Sequence, residues 1–121
     1  MSYNKEIGKK GEKIAERYLK IHGFSILEKN FLIKGSEIDL IAEKDGAIHF
    51  VEVKTRTETT FGNPADAVTF HKIKAIKHGA NIYLMRNQKY FDYIISFDVC
   101  EIILKKGFFK KTSINYIENA F

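Results

Sequence analysis

An α/β domain with a mixed β-sheet flanked by helices is the architecture this sequence predicts. Two segments carry apolar residues at three- and four-residue spacing. Several shorter segments are rich in β-branched and aromatic residues and are separated by turn signals. Their order along the chain is α-β-β-β-α-β-β, which favours a sheet with helices packed on it. The chain has 121 residues, the length of one compact domain spanning 1–121. Apolar residues make up 45 %, enough for a single core. There is no internal repeat, Pro64 is the only proline, and no Gly/Ser-rich linker divides the chain.

The first helix is predicted over Lys5 to His22. Ile7, Gly11, Ile14, Ala15, Tyr18 and Ile21 form its apolar stripe, and Lys9, Lys10, Lys13, Arg17 and Lys20 occupy the other faces. Gly23 stands where a C-terminal cap belongs. Phe24 to Ile33 reads as a strand or bent strand, broken by Glu28-Lys29-Asn30, and Lys34-Gly35 as a turn. Glu37 to Glu43 and Ala47 to Arg56 are two further strands. They are joined at Asp45-Gly46, a strong signal for a two-residue hairpin turn. After a polar loop, Asn63-Pro64 can start a short helical turn. Thr69 can cap the second helix, Phe70 to about Arg86, with Ile73, Ile76, Ala80 and Tyr83 as its stripe. Gly79 inside that helix costs roughly 1 kcal/mol against alanine. Two late strands, Tyr93 to Leu104 and Phe108 to Ile117, flank Lys105-Lys106-Gly107.

Composition narrows the function classes. No apolar run reaches the roughly 18 residues that would span a bilayer, and the N-terminus has no apolar signal-peptide core. Cys100 is the single cysteine, so no disulfide closes within the chain and no CxxC metal pair exists. A reducing cytoplasm is the expected location. Lys and Arg number 20 against 15 Asp and Glu, and the net charge of +5 leans toward a polyanionic partner. His71 and His78 are seven residues apart, but two histidines without a third ligand do not make a zinc site.

The hairpin carries the chemistry. With Asp45-Gly46 as the turn, Lys44 pairs with Ala47, Asp39 falls opposite Glu52, and Glu37 falls opposite Lys54. Alternation then puts Glu37, Asp39, Ile41, Phe50, Glu52 and Lys54 on one face. Ile38, Leu40, Ala42, His49, Val51 and Val53 share the other. The second set is a core face. The first places three carboxylates and one ammonium on otherwise apolar strands. Opposed Cβ atoms lie about 4.5–5.5 Å apart, so paired like charges need a shared proton, nearby cations or a bound metal. A hard divalent cation suits them: magnesium takes oxygen ligands, commonly one or two carboxylates with water and phosphate. Lys54 can hold a phosphate oxygen or orient a water. These are the parts that phosphodiester hydrolysis needs. The bland alternative is a solvated face with a Glu37–Lys54 ion pair. The apolar neighbours Ile38, Leu40, Ile41, Phe50, Val51 and Val53 argue against it, because such strands are central rather than exposed.

Asp39, twelve intervening residues and then Glu52-Val53-Lys54 resemble the PD-(D/E)XK signature of restriction-endonuclease-like nucleases. The wider pattern is more specific. Gly8-Lys9-Lys10-Gly11-Glu12, Glu37 to Ala42, Phe50 to Arg56 and the closing Asn119-Ala120-Phe121 resemble the YraN-like family of small bacterial proteins, related in fold to archaeal Holliday-junction resolvases. The resemblance spans essentially the whole chain. It implies a restriction-endonuclease-like fold, with Asp39, Glu52 and the Val53 carbonyl as metal ligands and Lys54 as the catalytic lysine. It also implies Glu12 as the helical glutamate completing the site. By its own surroundings Glu12, aligned with Gly8, Ala15 and Leu19, reads as a solvated glutamate. Ile38 replaces the proline of the motif, and Ser36 stands where family members often have glycine.

Lys72 matches a family lysine, although a solvated helix charge is an equal reading. Arg56, Lys72, Lys74 and Lys77 are the candidate nucleic-acid contacts, since a polyanion near the acidic hairpin needs positive charge. The function expected from the resemblance is a magnesium-dependent endonuclease, with Mn2+ as substitute cofactor. Its expected partner is DNA, in branched or single-stranded form, and its expected state a homodimer. The alternatives are a non-catalytic nucleic-acid-binding module of the same fold, or an interaction protein with a structural acidic cluster.

Overall fold

The computed structural model of the chain describes residues 3–57, 68–105 and 112–121. The elements are α1 (Tyr3–Ile21), β1 (Ser25–Ile33), β2 (Ser36–Lys44), β3 (Ala47–Thr57), α2 (Phe70–Arg86), β4 (Ile94–Leu104) and β5 (Ser113–Ile117), with a 3-10 turn over Gln88–Tyr90. This is the predicted α-β-β-β-α-β-β order. The expected helical turn at Asn63-Pro64 lies outside the described residues, and so does the start of the expected strand from Phe108.

The five strands form one sheet in the order β1-β2-β3-β4-β5. All neighbours are antiparallel except β3 and β4, which run parallel from Ala47↔Ile94 to Thr57↔Leu104. A parallel pair needs a crossover, and α2 lies within it. Local chemistry sets the boundaries. Phe24 N–H reaches Leu19 O at 2.9 Å and Gly23 N–H reaches Lys20 O at 3.2 Å, a Schellman ending on a left-handed glycine. Asp45 and Gly46 have φ of 50° and 78°, the signs a type I′ turn requires, and the ladder from Lys44↔Ala47 to Leu40↔Val51 follows the predicted register. Thr69 Oγ1 accepts the Lys72 N–H at 3.1 Å and caps α2.

Two apolar cores lie on opposite faces of the sheet. Under α1, Ala15 and Leu19 pack with Leu40, Ala42, Val51, Val53, Cys100 and Ile102. Under α2, Ile76, Ala80 and Tyr83 pack with Ile38, Ile41, Ile48 and Phe50. Glycines set the approach of both helices. A Cβ on Gly11 would lie 2.8 Å from Thr55 Cβ, and one on Gly79 would press on Ser36 and lie 3.1 Å from Ile38 Cδ1. Gly79 is therefore a packing requirement rather than a weak point in the helix. No described helix is long and apolar enough to cross a membrane.

One expected face assignment is corrected. Ile38 does not join Leu40 and Ala42 under α1; it packs under α2 with Ile41 and Phe50. Strict alternation fails at Asp39. The β2–β3 ladder stops at Leu40↔Val51, and between the β1–β2 pairs Lys29↔Leu40 and Phe31↔Ile38 lies Asn30, with φ of 52°. This irregularity turns Ile38 and Leu40 to opposite faces and leaves Asp39 at the seam between them.

Candidate active site

Asp39 stands where β2 and β3 stop pairing. Its Oδ2 accepts the Val53 N–H at 2.8 Å, so the side chain satisfies a backbone donor beyond the end of the ladder. Glu52, one residue before Val53, is buried at 3 % exposure and points to the α2 side, where it is ion-paired with Lys72 Nζ. Asp39 and Glu52 interact directly. Burial first, then the Glu52 charge, push Asp39 up to about 8 against the Val53 N–H, and Glu12 adds to the rise. Burial alone would lower Lys72. The hydrogen bond and charge of Glu52, with Asp39 and Glu37 behind it, outweigh that and leave it raised. The first turn of α2 faces this group, because Thr69, His71 and Lys72 line a cleft of about 310 Å³ with Glu37, Asp39 and Glu52. The positive end of the helix dipole therefore points toward the carboxylates.

Glu12 arrives from the other side of the sheet. Gly11 lets α1 approach β3 at Thr55, and this contact carries the neighbouring Glu12 to the carboxylates. Burial and then the Glu37 charge raise Glu12, opposed by a hydrogen bond from Asn30, and Glu52 also acts on it. A second cleft, about 640 Å³, runs along α1 and is lined by Glu12, Glu37 and Asp39 together with Lys9, Lys13 and Lys29. Asp39 and Glu37 belong to both clefts, which meet at the seam. Of the residues singled out in the sequence, Glu12, Asp39, Glu52 and Lys72 thus converge, with Glu37 beside them.

Lys54 lies two residues past Glu52 on the α2 side and is half-buried, but it lines neither cleft. No ion pair joins it to Glu37, which instead acts on Glu12 and Lys72. The remaining predicted cations are already engaged. Arg56 Nε lies 3.6 Å from Glu101 Oε2. Lys74 sits over the Phe70 ring at 5.5 Å, and Lys77 over the Phe97 ring at 5.3 Å. His71 and His78 are both exposed.

Among the described residues, no three His, Cys, Asp or Glu side chains are grouped so as to hold a metal ion. The adjacent Asp39 and Glu52 still offer the two hard oxygen donors that a magnesium-type site commonly takes from protein. Such an all-oxygen donor set suits magnesium or manganese better than zinc, whose sites favour cysteine and histidine.

Sequence reasoning missed the lysines of the α1 cleft and a buried polar network under α1. Asp98 is fully buried and accepts from His49 Nδ1 at 2.6 Å, Ser96 Oγ at 2.5 Å, Asn119 N–H at 3.1 Å and Tyr116 OH. A histidine on a predicted core face was the available signal, since a buried imidazole needs a partner.

Residues 11–102 match the uncharacterised protein family UPF0102. The chain is 48 % identical over 118 residues to a UPF0102 protein of Syntrophomonas wolfei, covering 98 % of this chain and 99 % of that one. It is 46 % identical over 120 residues to one of Clostridium novyi, covering 99 % and 98 %. A third, from Caldanaerobacter subterraneus, is 45 % identical over 117 residues, covering 97 % and 95 %. With a match over most of its length and relatives aligned almost end to end, this chain belongs to the uncharacterised family UPF0102, the YraN family.

Proposed function

We propose that this chain is a metal-dependent endonuclease that hydrolyses phosphodiester bonds in DNA, with Mg2+ as cofactor and Mn2+ as substitute. The observation that carries the reading is that Asp39 and Glu52 line one cleft, close enough for the Glu52 charge to act on Asp39. Two adjacent carboxylates in a half-buried seam are unfavourable for folding and useful for chemistry. Asp39 and Glu52 would hold the metal, and the Val53 carbonyl would complete the set. When bound, the metal polarises the phosphate and lowers the pKa of a coordinated water.

The chain's own residues supply the rest. The Val53 N–H fixes the Asp39 carboxylate. Lys72 holds Glu52. Glu12, raised toward its neutral form, suits holding a proton at the cleft wall. Lys54 is the candidate for contact with the reacting phosphate. A homodimer belongs to the same reading and would show as a doubled mass in light scattering.

A second reading has an observation in its favour. Lys72 already neutralises Glu52, so the acidic group is compatible with a nucleic-acid-binding module that does not cut, or with a purely structural charge network in an interaction protein. The deciding experiment is cleavage of branched, nicked, single-stranded and duplex DNA with magnesium or manganese against EDTA. Metal-dependent cleavage of any of them supports the nuclease. Binding without cleavage of any supports the module, and neither binding nor cleavage supports the structural network.

A further inference from the structure

We infer that Lys9 and Lys13 of α1 are phosphate-positioning residues, which seat a sugar–phosphate strand in the α1 cleft and lead it to the carboxylates. The inference rests on the nucleic-acid reading above and goes beyond it by naming where the strand lies.

The two sides of the sheet differ in how their cations are used. On the α2 side Lys72 is paired with Glu52, and Lys74 and Lys77 each lie over an aromatic ring. Arg56, on β3, is paired with Glu101. A phosphate would have to compete with those partners. On the α1 side Lys9 and Lys13 are exposed, line the larger cleft and take part in no ion pair among the described residues, although the Lys9 charge does act on Glu12 in the same cleft.

Their spacing fits a strand. Residues four apart share a helix face, with a rise of about 6 Å between them. That distance is comparable with one step of an extended sugar–phosphate backbone. Gly8 lines the same cleft, and a Cβ there would meet no atom within 4 Å, so the lane beside Lys9 is clear. The facing wall carries Lys29, which is already paired with Glu16 at 3.7 Å, so the unpaired lysines of this lane are Lys9 and Lys13 among the described residues. The cleft also includes Glu37 and Asp39, which it shares with the α2 cleft. A strand lying against Lys9 and Lys13 therefore passes the carboxylate pair.

The test compares two double variants, K9Q/K13Q and K74Q/K77Q. Binding of a labelled oligonucleotide, single-stranded and duplex, is followed by fluorescence anisotropy in EDTA over a salt series. K9Q/K13Q is expected to bind about tenfold or more weakly at low salt. The slope of log K against log salt should fall by about 1.4 for the single strand or 1.8 for the duplex. K74Q/K77Q should stay near wild type. K9R/K13R should recover both affinity and slope, which a structural role for these exposed side chains would not explain. Should K9Q/K13Q bind like wild type while wild type binds well, the positioning role is overturned and the nucleic-acid reading stands. Should wild type bind neither oligonucleotide nor the branched and nicked DNA of the cleavage panel, both are overturned.

Discussion

Asp39 Oδ2 accepts the Val53 N–H at 2.8 Å, one step past the last backbone pair of β2 and β3, Leu40↔Val51. A side chain thus takes over from the ladder at the point where the strands separate. That substitution joins the fold to the site. The same carboxylate satisfies a backbone donor, stands against Glu52 and lines both clefts. The hairpin therefore ends among the carboxylates rather than in solvent.

The first expected outcome concerns pH. Burial first and then the Glu52 charge push Asp39 up to about 8 in the fold, against an ordinary carboxyl near 4 in the unfolded chain. The fold thus favours the protonated form. Its contribution to stability is complete below about pH 4 and is lost as pH rises through 8. Asp39→Asn stays neutral and keeps an oxygen for the Val53 N–H. Without metal, the variant should exceed wild type by a few kcal/mol at pH 8, with the gap closing toward pH 4. Thermal melts in EDTA across that range decide it, and parallel profiles would refute it.

Lys72 occupies the position of counter-ion to a buried carboxylate. Removing one partner of such a pair leaves a buried charge uncompensated. Lys72→Met should lose about 1–3 kcal/mol in EDTA. Magnesium should then raise its melting temperature by more than it raises that of wild type, because the metal takes over neutralisation and binds only the native state. The double variant Asp39→Asn, Glu52→Gln should show no metal response. An equal response in all three proteins would remove these carboxylates from the metal site.

Much of this was legible in sequence because it is locally determined. Asp45-Gly46 dictates its own turn type, and the register from Lys44↔Ala47 onward follows from it. Thr69 and the stripe of Ile76, Ala80 and Tyr83 define α2. The face of Ile38 was not legible, since it depends on Asn30 adopting a left-handed conformation in the neighbouring strand. The partners of the lysines were equally hidden. Nothing near Lys77 in sequence says that Phe97 lies beneath it while Lys9 faces an open cleft. The His49–Asp98 contact joins residues 49 positions apart across the parallel β3–β4 pair.

The helical glycines should respond in opposite directions. Gly8→Ala adds a methyl into open space and should stabilise by about 0.5–1 kcal/mol. Gly11→Ala drives a Cβ to 2.8 Å from both Thr55 Cβ and Thr55 Cγ2. That should cost about 1–3 kcal/mol and displace Glu12 from the site. Urea denaturation of the two variants gives the comparison. A Gly11→Ala protein as stable as wild type would mean that α1 does not need this approach.

Asp98 gathers four donors onto one carboxylate. Burial alone would raise it, but the bonds from His49, Ser96, Tyr116 and the Asn119 N–H hold it below the usual carboxylate range. Its contribution to stability is therefore present above an ordinary carboxyl pKa and lost as pH falls below about 4. Asp98→Asn presents one acceptor oxygen and two new donors to the same four groups. It should cost about 2–4 kcal/mol and remove part of the acid sensitivity. Acid-unfolding curves matching those of wild type would assign the acid sensitivity to other carboxylates.

Lys54 separates catalysis from binding. It shares the α2 side of β3 with Glu52 but lines neither cleft, so it contributes little to holding a strand at rest. A group needed chiefly in the transition state affects turnover more than ground-state affinity. Lys54→Ala should therefore reduce single-turnover cleavage by about 100-fold or more while leaving oligonucleotide affinity within about twofold. Cleavage would be followed in magnesium, and binding by anisotropy in calcium to suppress turnover. A matching loss in both assays would make Lys54 a phosphate-binding residue like Lys9 and Lys13. Unchanged cleavage would remove it from the site and leave Lys72 as the lysine nearest the carboxylate pair.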